Sequence, residues 1–152
     1  MSKIRLYLRD EGWSRPEIAS HGSHVIRLRC WVQSGMGGGQ FTEPHDAVVD
    51  TGAPVGLLPR RIWQALNPEV LVPETTIGGI SRKKDCQLRV GLERLRGRVV
   101  DEEGNASPPL AFPAYLASTN RAPLLLGFAG VLSELRCYFD YGTREAWLEA
   151  RG

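Results

Sequence analysis

Residues 47–58, Ala-Val-Val-Asp-Thr-Gly-Ala-Pro-Val-Gly-Leu-Leu, constrain the fold more than any other stretch of the chain. Two apolar runs of strand length are joined by a turn that begins with a carboxylate. Asp50 follows Val48 and Val49 and precedes Val55, Leu57 and Leu58, which predicts largely dry surroundings for it. An unpartnered charge in such a place is costly and normally neutralises or finds a partner. The fold must therefore present this turn where Asp50 has a partner, or use the Asp-Gly geometry only to close a strand end.

The remaining segments also read mostly as strands. Residues 3–8 alternate, with Ile4, Leu6 and Leu8 on one face, and residues 24–32 nearly do so. Four glycines within 34–40 predict a hairpin tip whose return arm is the strand carrying Asp50. Residues 58–68 suit a helical turn or two after Pro59, and 74–95 read as a hairpin with arms on either side of Gly78 and Gly79. A surface loop is expected over 101–109, a strand over 110–118, a short helix near 128–135, and a closing pair of strands. The expected fold class is mainly β, a small barrel or sandwich with one short helix near the C-terminus.

Length and composition narrow the function. A chain of 152 residues suits one domain with a core of its own. Net charge of +2 is too mild to argue for nucleic acid, and no apolar run reaches membrane-spanning length. The N-terminus mixes acidic and basic residues and does not read as a secretory signal. Cys30, Cys86 and Cys137 are odd in number and widely spaced, which favours packing roles in a reducing cytoplasm over disulfides or zinc. His21 and His24 stand three apart without an acidic or cysteine neighbour, so no metal is expected there. His45 and Asp46 lack the nucleophile elbow that would complete a triad.

Three segments, in this order, resemble the retropepsin family of single-domain aspartic proteases. Val48-Val49-Asp50-Thr51-Gly52-Ala53 resembles its catalytic loop, Thr76–Ser81 its glycine-rich flap, and Leu124–Leu132 its apolar-apolar-glycine segment leading to a helix. The resemblance spans residues 24–150, leaving 1–23 as an N-terminal extension, an edge strand or a dimer strand. It implies a closed barrel of the acid-protease type, active as a homodimer on protein or peptide substrates, without cofactor or metal. Asp50 would be catalytic, with Thr51, Gly52 and Ala53 supporting its loop. Ile77, Gly78, Gly79 and Ile80 would form the flap, and Leu126 and Gly127 would lie beneath the site.

The sequence contains one Asp-Thr-Gly and no second Asp-Ser-Gly or Asp-Thr-Gly, so one chain carries half of a two-carboxylate site. A two-fold homodimer would bring two copies of Asp50 together. Thr51 resembles the family threonine that bonds across the dimer axis. Ala53 stands where pepsin-like enzymes carry serine, which removes a hydroxyl donor and implies a weakly acidic to neutral working range. The alternatives are a retropepsin-like dimer that binds peptides or assembles chains without effective proteolysis, and an unrelated β-barrel binding domain in which the tripeptide is accidental.

Overall fold

The computed structural model describes residues 3–11, 16–20, 25–77 and 88–151. In chain order the first elements are β1 (Ile4–Arg5), β2 (Tyr7–Glu11), α1 (Pro16–Ala19), β3 (Val25–Gly37), β4 (Gln40–Phe41) and β5 (His45–Val49). Then come β6 (Gly56–Leu58), α2 (Arg60–Trp63), β7 (Glu69–Ile77), β8 (Leu88–Val100) and β9 (Leu110–Ala117). The chain ends with β10 (Leu125–Leu126), β11 (Leu135–Asp140) and β12 (Glu145–Ala150). The fold is mainly β, as its short alternating segments predict.

Six strands close into a barrel in the order β3-β5-β10-β6-β9-β8, with β8 returning to β3. Closure pairs Trp31 with Val100 and Ser34 with Gly97. A Cβ on Gly97 would stand 2.9 Å from the Gln33 carbonyl oxygen, so only glycine lets the two strands approach there. The hairpin expected around 34–40 forms. Gly37, Gly38 and Gly39 all have positive φ, and β5 returns antiparallel to β3 with Val48 opposite Arg29.

The defining feature is the placement of β10. Strands β5 and β6 are joined by the short 50–55 loop, yet they do not pair with each other. Instead β10 lies between them, parallel to β5 (Leu125 opposite Val48, Leu126 opposite Val49) and antiparallel to β6 (Leu125 opposite Leu57). Two strands joined by a tight loop are thus split by a third from much later in the chain. All three are short, and where they lie together (Ala47–Val49, Leu57–Leu58 and Leu125–Leu126) they are apolar and mostly buried. Ala47, Val49, Leu58 and Leu126 belong to the main core with Cys30, Val32, Val99, Phe112 and Leu148.

The N-terminal segment joins the same core. The alternation over 3–8 does not produce one strand: β1 pairs with β12 in a three-stranded sheet with β11, while β2 pairs with β3 at the edge of the barrel sheet. Ile4 and Leu6 remain almost completely buried, so the alternation marks the core face across the switch between sheets.

The helix expected near 128–135 is not regular. Residues Phe128–Leu132 turn, but Ala129 is extended (φ −62°, ψ 119°) and Gly130 is left-handed (φ 73°), so the segment is kinked. A Cβ on Gly130 would lie 2.6 Å from the Ala111 carbonyl oxygen; close packing against β9 sets this conformation. Cys30 is buried as expected, and burial pushes its thiol far up, whereas Cys137 is exposed and is not a core residue. Cys86, His21 and His24 lie outside the described residues.

Candidate functional site

Asp50 directly follows β5, at the point where the chain turns away from the inserted strand. Its backbone N–H donates to the Leu126 carbonyl (2.9 Å), and one residue pair earlier the Val48 N–H donates to the Leu124 carbonyl (2.9 Å). Beyond the turn, the Phe128 N–H donates to the Ala53 carbonyl (3.0 Å) and the Ala129 N–H to the Pro54 carbonyl (2.9 Å). The Asp50 loop is therefore stitched on both sides to the 124–129 segment by backbone hydrogen bonds. Such a loop holds its side chain in place without help from other side chains.

Gly127 allows this stitching. A Cβ there would stand 2.6–2.7 Å from backbone atoms of Ala53 and Val55. Gly56 is similarly confined: a Cβ there would stand 2.8 Å from the Leu125 carbonyl oxygen. The glycine after Leu126 thus serves as the floor on which the Asp-Thr-Gly turn rests.

The Asp50 carboxylate is half-buried, and its Oδ1 accepts a hydrogen bond from the Gly52 N–H (2.9 Å). That contact orients the carboxylate and leaves Oδ2 free of any hydrogen bond among the described residues. Thr51 and Gly52 are exposed and Ala53 is half-buried. The dry surroundings expected from the flanking sequence are therefore incomplete in a single chain: the apolar residues form the walls, and the carboxylate looks out at the surface. Gly52 does not adopt a positive φ; its lack of a Cβ keeps the space beside Asp50 Oδ1 open, since a Cβ would lie 3.3 Å from that oxygen.

Other expected site residues are placed in part. Leu126 is buried under the loop. Ile77 ends β7 opposite Leu88 and packs against the buried cluster of Leu57, Val90, Ala117 and Ala122, in which Leu57 lies on β6, the strand that follows the Asp50 turn. The hairpin formed by β7 and β8 is therefore seated beside the site. Gly78, Gly79 and Ile80 lie outside the described residues, in the ten-residue connection between Ile77 and Leu88.

Phe139 and Tyr141, near the loop, were not singled out from sequence. Leu8, Ile26, Leu28, Val49, Phe139 and Tyr141 line an open hollow of about 260 Å³ whose rim includes Thr51. Ile26, Phe139 and Tyr141 are unusually exposed for their type. In the sequence the alternation of Cys137, Phe139 and Tyr141 reads as a core face, so it did not mark the hollow.

Behind the hollow, charges are paired. Asp46 is bridged by Arg9 (3.2 Å) and Arg29 (3.3 Å), and Glu11 by Arg29 (2.9 Å) and Arg27 (3.0 Å). Burial alone would raise Glu11, but the Arg29 and Arg27 guanidinium groups outweigh it and hold the carboxyl below its ordinary range. Asp46 is thus occupied by arginines and does not orient His45. Among the described residues no group of three or more His, Cys, Asp or Glu side chains could hold a metal ion, and no helix is long and apolar enough to cross a membrane.

No family model and no curated protein matches the chain.

Proposed function

We propose that the protein is a homodimeric aspartic endopeptidase of the retropepsin type, in which two Asp50 side chains, one per subunit, activate water against a peptide bond. The observation that carries this reading is the inserted strand. A surface Asp-Thr-Gly turn is clamped on both sides by backbone hydrogen bonds with a later apolar-apolar-glycine segment, and its carboxylate is aimed by Gly52 and has no other hydrogen bond among the described residues. A turn serving only to end a strand has no need of that clamp.

Two carboxyl groups in contact cannot both ionise comfortably, so the pair shares one proton. The ionised member takes a proton from the attacking water while the protonated member donates to the carbonyl oxygen, and the roles exchange as the amine leaves. Thr51, beside Asp50 on the turn, would meet the neighbouring loop. The β7–β8 hairpin, seated through Ile77, would lie along an extended peptide.

The test is incubation of the purified protein with a mixed peptide library beside an Asp50→Asn variant of equal fold and oligomeric state. Cleavage should fall on the order of 10³-fold in the variant. Equal cleavage by both, or none by either, overturns the peptidase reading; peptide capture without cleavage would favour the binding-module alternative.

A further inference from the structure

The outer face of the barrel carries a row of cations along β8. Leu95, Gly97 and Val99 are buried, so Arg94, Arg96, Arg98 and Val100 fall together on the outer side. Successive members of that row stand about 6.6 Å apart along the strand. The neighbours of Arg96 are small: a Cβ on Gly35 of β3 would lie 3.2 Å from the Arg96 Cβ, and Ala111 is its register partner on β9. Neither reaches far enough to cover it.

Elsewhere on this face the arginines are answered by carboxylates. Arg9 and Arg29 meet Asp46, and Arg27 meets Glu11. On β8 Arg94 meets Glu69 at 3.2 Å, but the two side chains are 52% and 65% exposed, where such a pair contributes little. Among the described residues Arg96 and Arg98 meet no carboxylate. Arg98 Nε donates to Gln33 Oε1 (2.9 Å), and its guanidinium lies 4.2 Å above the Phe41 ring. Those partners fix its position without cancelling its charge. The net charge of +2 averages this row away.

The row ends at a ring. Val100 pairs with Trp31, and both line, with Pro44, a largely apolar hollow of about 300 Å³ whose rim carries Asp101 and Glu102. We propose that this face binds single-stranded nucleic acid, with Arg94, Arg96 and Arg98 on successive phosphates and one base stacked on Trp31.

The spacing of the row is close to the separation of successive phosphates in an extended single strand. A line of cations that tracks the backbone, together with an aromatic face that takes a base, is how single strands are bound without regard to sequence. The hollow's rim decides between this ligand and an acidic peptide. A carboxylate entering the hollow would be repelled by Asp101 and Glu102, whereas a base brings N–H donors that Glu102 accepts. A duplex keeps its bases in the stack, away from Trp31. Asp50 takes no part, so the inference stands apart from the peptidase reading.

The test is fluorescence anisotropy of the full chain with a short labelled oligothymidylate across a salt series. Three phosphate contacts predict that log K falls against log salt with a slope of about −2, at about −0.7 per phosphate. Arg96→Ala should make the slope shallower by about 0.7. Ala111→Glu, which leaves every arginine in place, should weaken binding in the same direction. Trp31→Leu, which keeps an apolar side chain but no ring, should lower affinity about tenfold with the slope unchanged, and Trp31→Phe should restore most of it.

No binding by the wild-type chain, or a slope that Arg96→Ala leaves unchanged, overturns the proposal. Equal affinity of the Trp31→Leu and Trp31→Phe variants removes the stacked base and overturns it as well. Equal binding of an oligoglutamate or of a duplex of the same length overturns the assignment to single strands. Asp50→Asn should bind as the wild type does, so failure of either reading leaves the other standing.

Discussion

Replacing Gly127 with alanine should destabilise the protein by about 2–4 kcal/mol, more than any surface substitution of equal size. The new Cβ would sit 2.6 Å from the Val55 carbonyl carbon and 2.7 Å from the carbonyl oxygens of Ala53 and Val55. Ordinary contact needs close to 1 Å more. All three atoms are backbone, so no side chain can rotate away. Moving the Ala53 carbonyl far enough would stretch its 3.0 Å hydrogen bond from Phe128 beyond bonding length. Overpacking of this kind costs about 1–3 kcal/mol, and the lost hydrogen bond adds about 1. For a chain of this size each kcal/mol lowers the melting temperature by about 2–4 °C, so a fall of about 4–16 °C is expected. Urea titration followed by circular dichroism, at one protomer concentration, measures it. The control is Gly104→Ala, where φ is +87° and nothing lies within 4 Å, so only the left-handed backbone is penalised, by about 1 kcal/mol. If Gly127→Ala costs no more than Gly104→Ala, the argument that Gly127 is the floor of the Asp50 loop is wrong.

Two further outcomes follow from the same contacts. Asp101 accepts hydrogen bonds from the backbone N–H groups of Arg5, Glu103 and Asn105 and from the Asn105 side chain, each at 2.9 Å, tying β1 to the 101–109 loop. Asp101→Ala should cost about 2 kcal/mol near neutral pH. Burial works to raise the Asp101 carboxyl, but those four donors outweigh it and hold it below its ordinary range. Its folded value being the lower one, the stabilisation is present above about pH 4 and is lost as pH falls further. The stability gap between wild type and variant, followed by denaturant titration from pH 7 to pH 2, should therefore narrow only at the acid end. Ile77→Ser, at the seat of the β7–β8 hairpin, should lower kcat/KM for peptide cleavage while leaving the sedimentation behaviour unchanged; an unaffected kcat/KM would detach the hairpin from the site.

The parts of the fold carried by local pattern were legible in the sequence. The glycines at 37–39 announce their hairpin, Pro59 starts α2, the near-alternation over 24–32 marks β3, and a strand is expected where β9 forms. What local pattern cannot carry is partner choice between distant strands. Nothing in Leu125-Leu126 says that they insert between β5 and β6, and nothing in residues 3–8 marks the switch from one sheet to another at Leu6. The kink at 128–132 was hidden for a related reason. An apolar run containing one glycine reads as a helix, and only the backbone of β9 pressing on Gly130 rules that out. The hollow beside Thr51 was also hidden, because Phe139 and Tyr141 look like core residues until the structure leaves them exposed.

The way Asp50 is held separates its chemical role from any structural one. Its loop is fixed by backbone groups, namely the Leu126 carbonyl, the Ala53 carbonyl and the Phe128 N–H, none of which depends on the charge of the side chain. Among the described residues the carboxylate itself has one hydrogen-bond partner, the Gly52 N–H, and the amide oxygen of asparagine accepts that bond equally well. Asp50→Asn should thus melt within about 1–2 °C of wild type, less than a cost of 1 kcal/mol would produce. In a dimer the substitution also removes two facing carboxylates that oppose each other, so dimerisation should be unchanged or tighter. A carboxylate retained for stability would give the opposite result, with loosened dimers and a lower melting temperature. Thermal unfolding and sedimentation of this one variant therefore ask whether the acid is there for the fold or for the reaction, before any substrate is known.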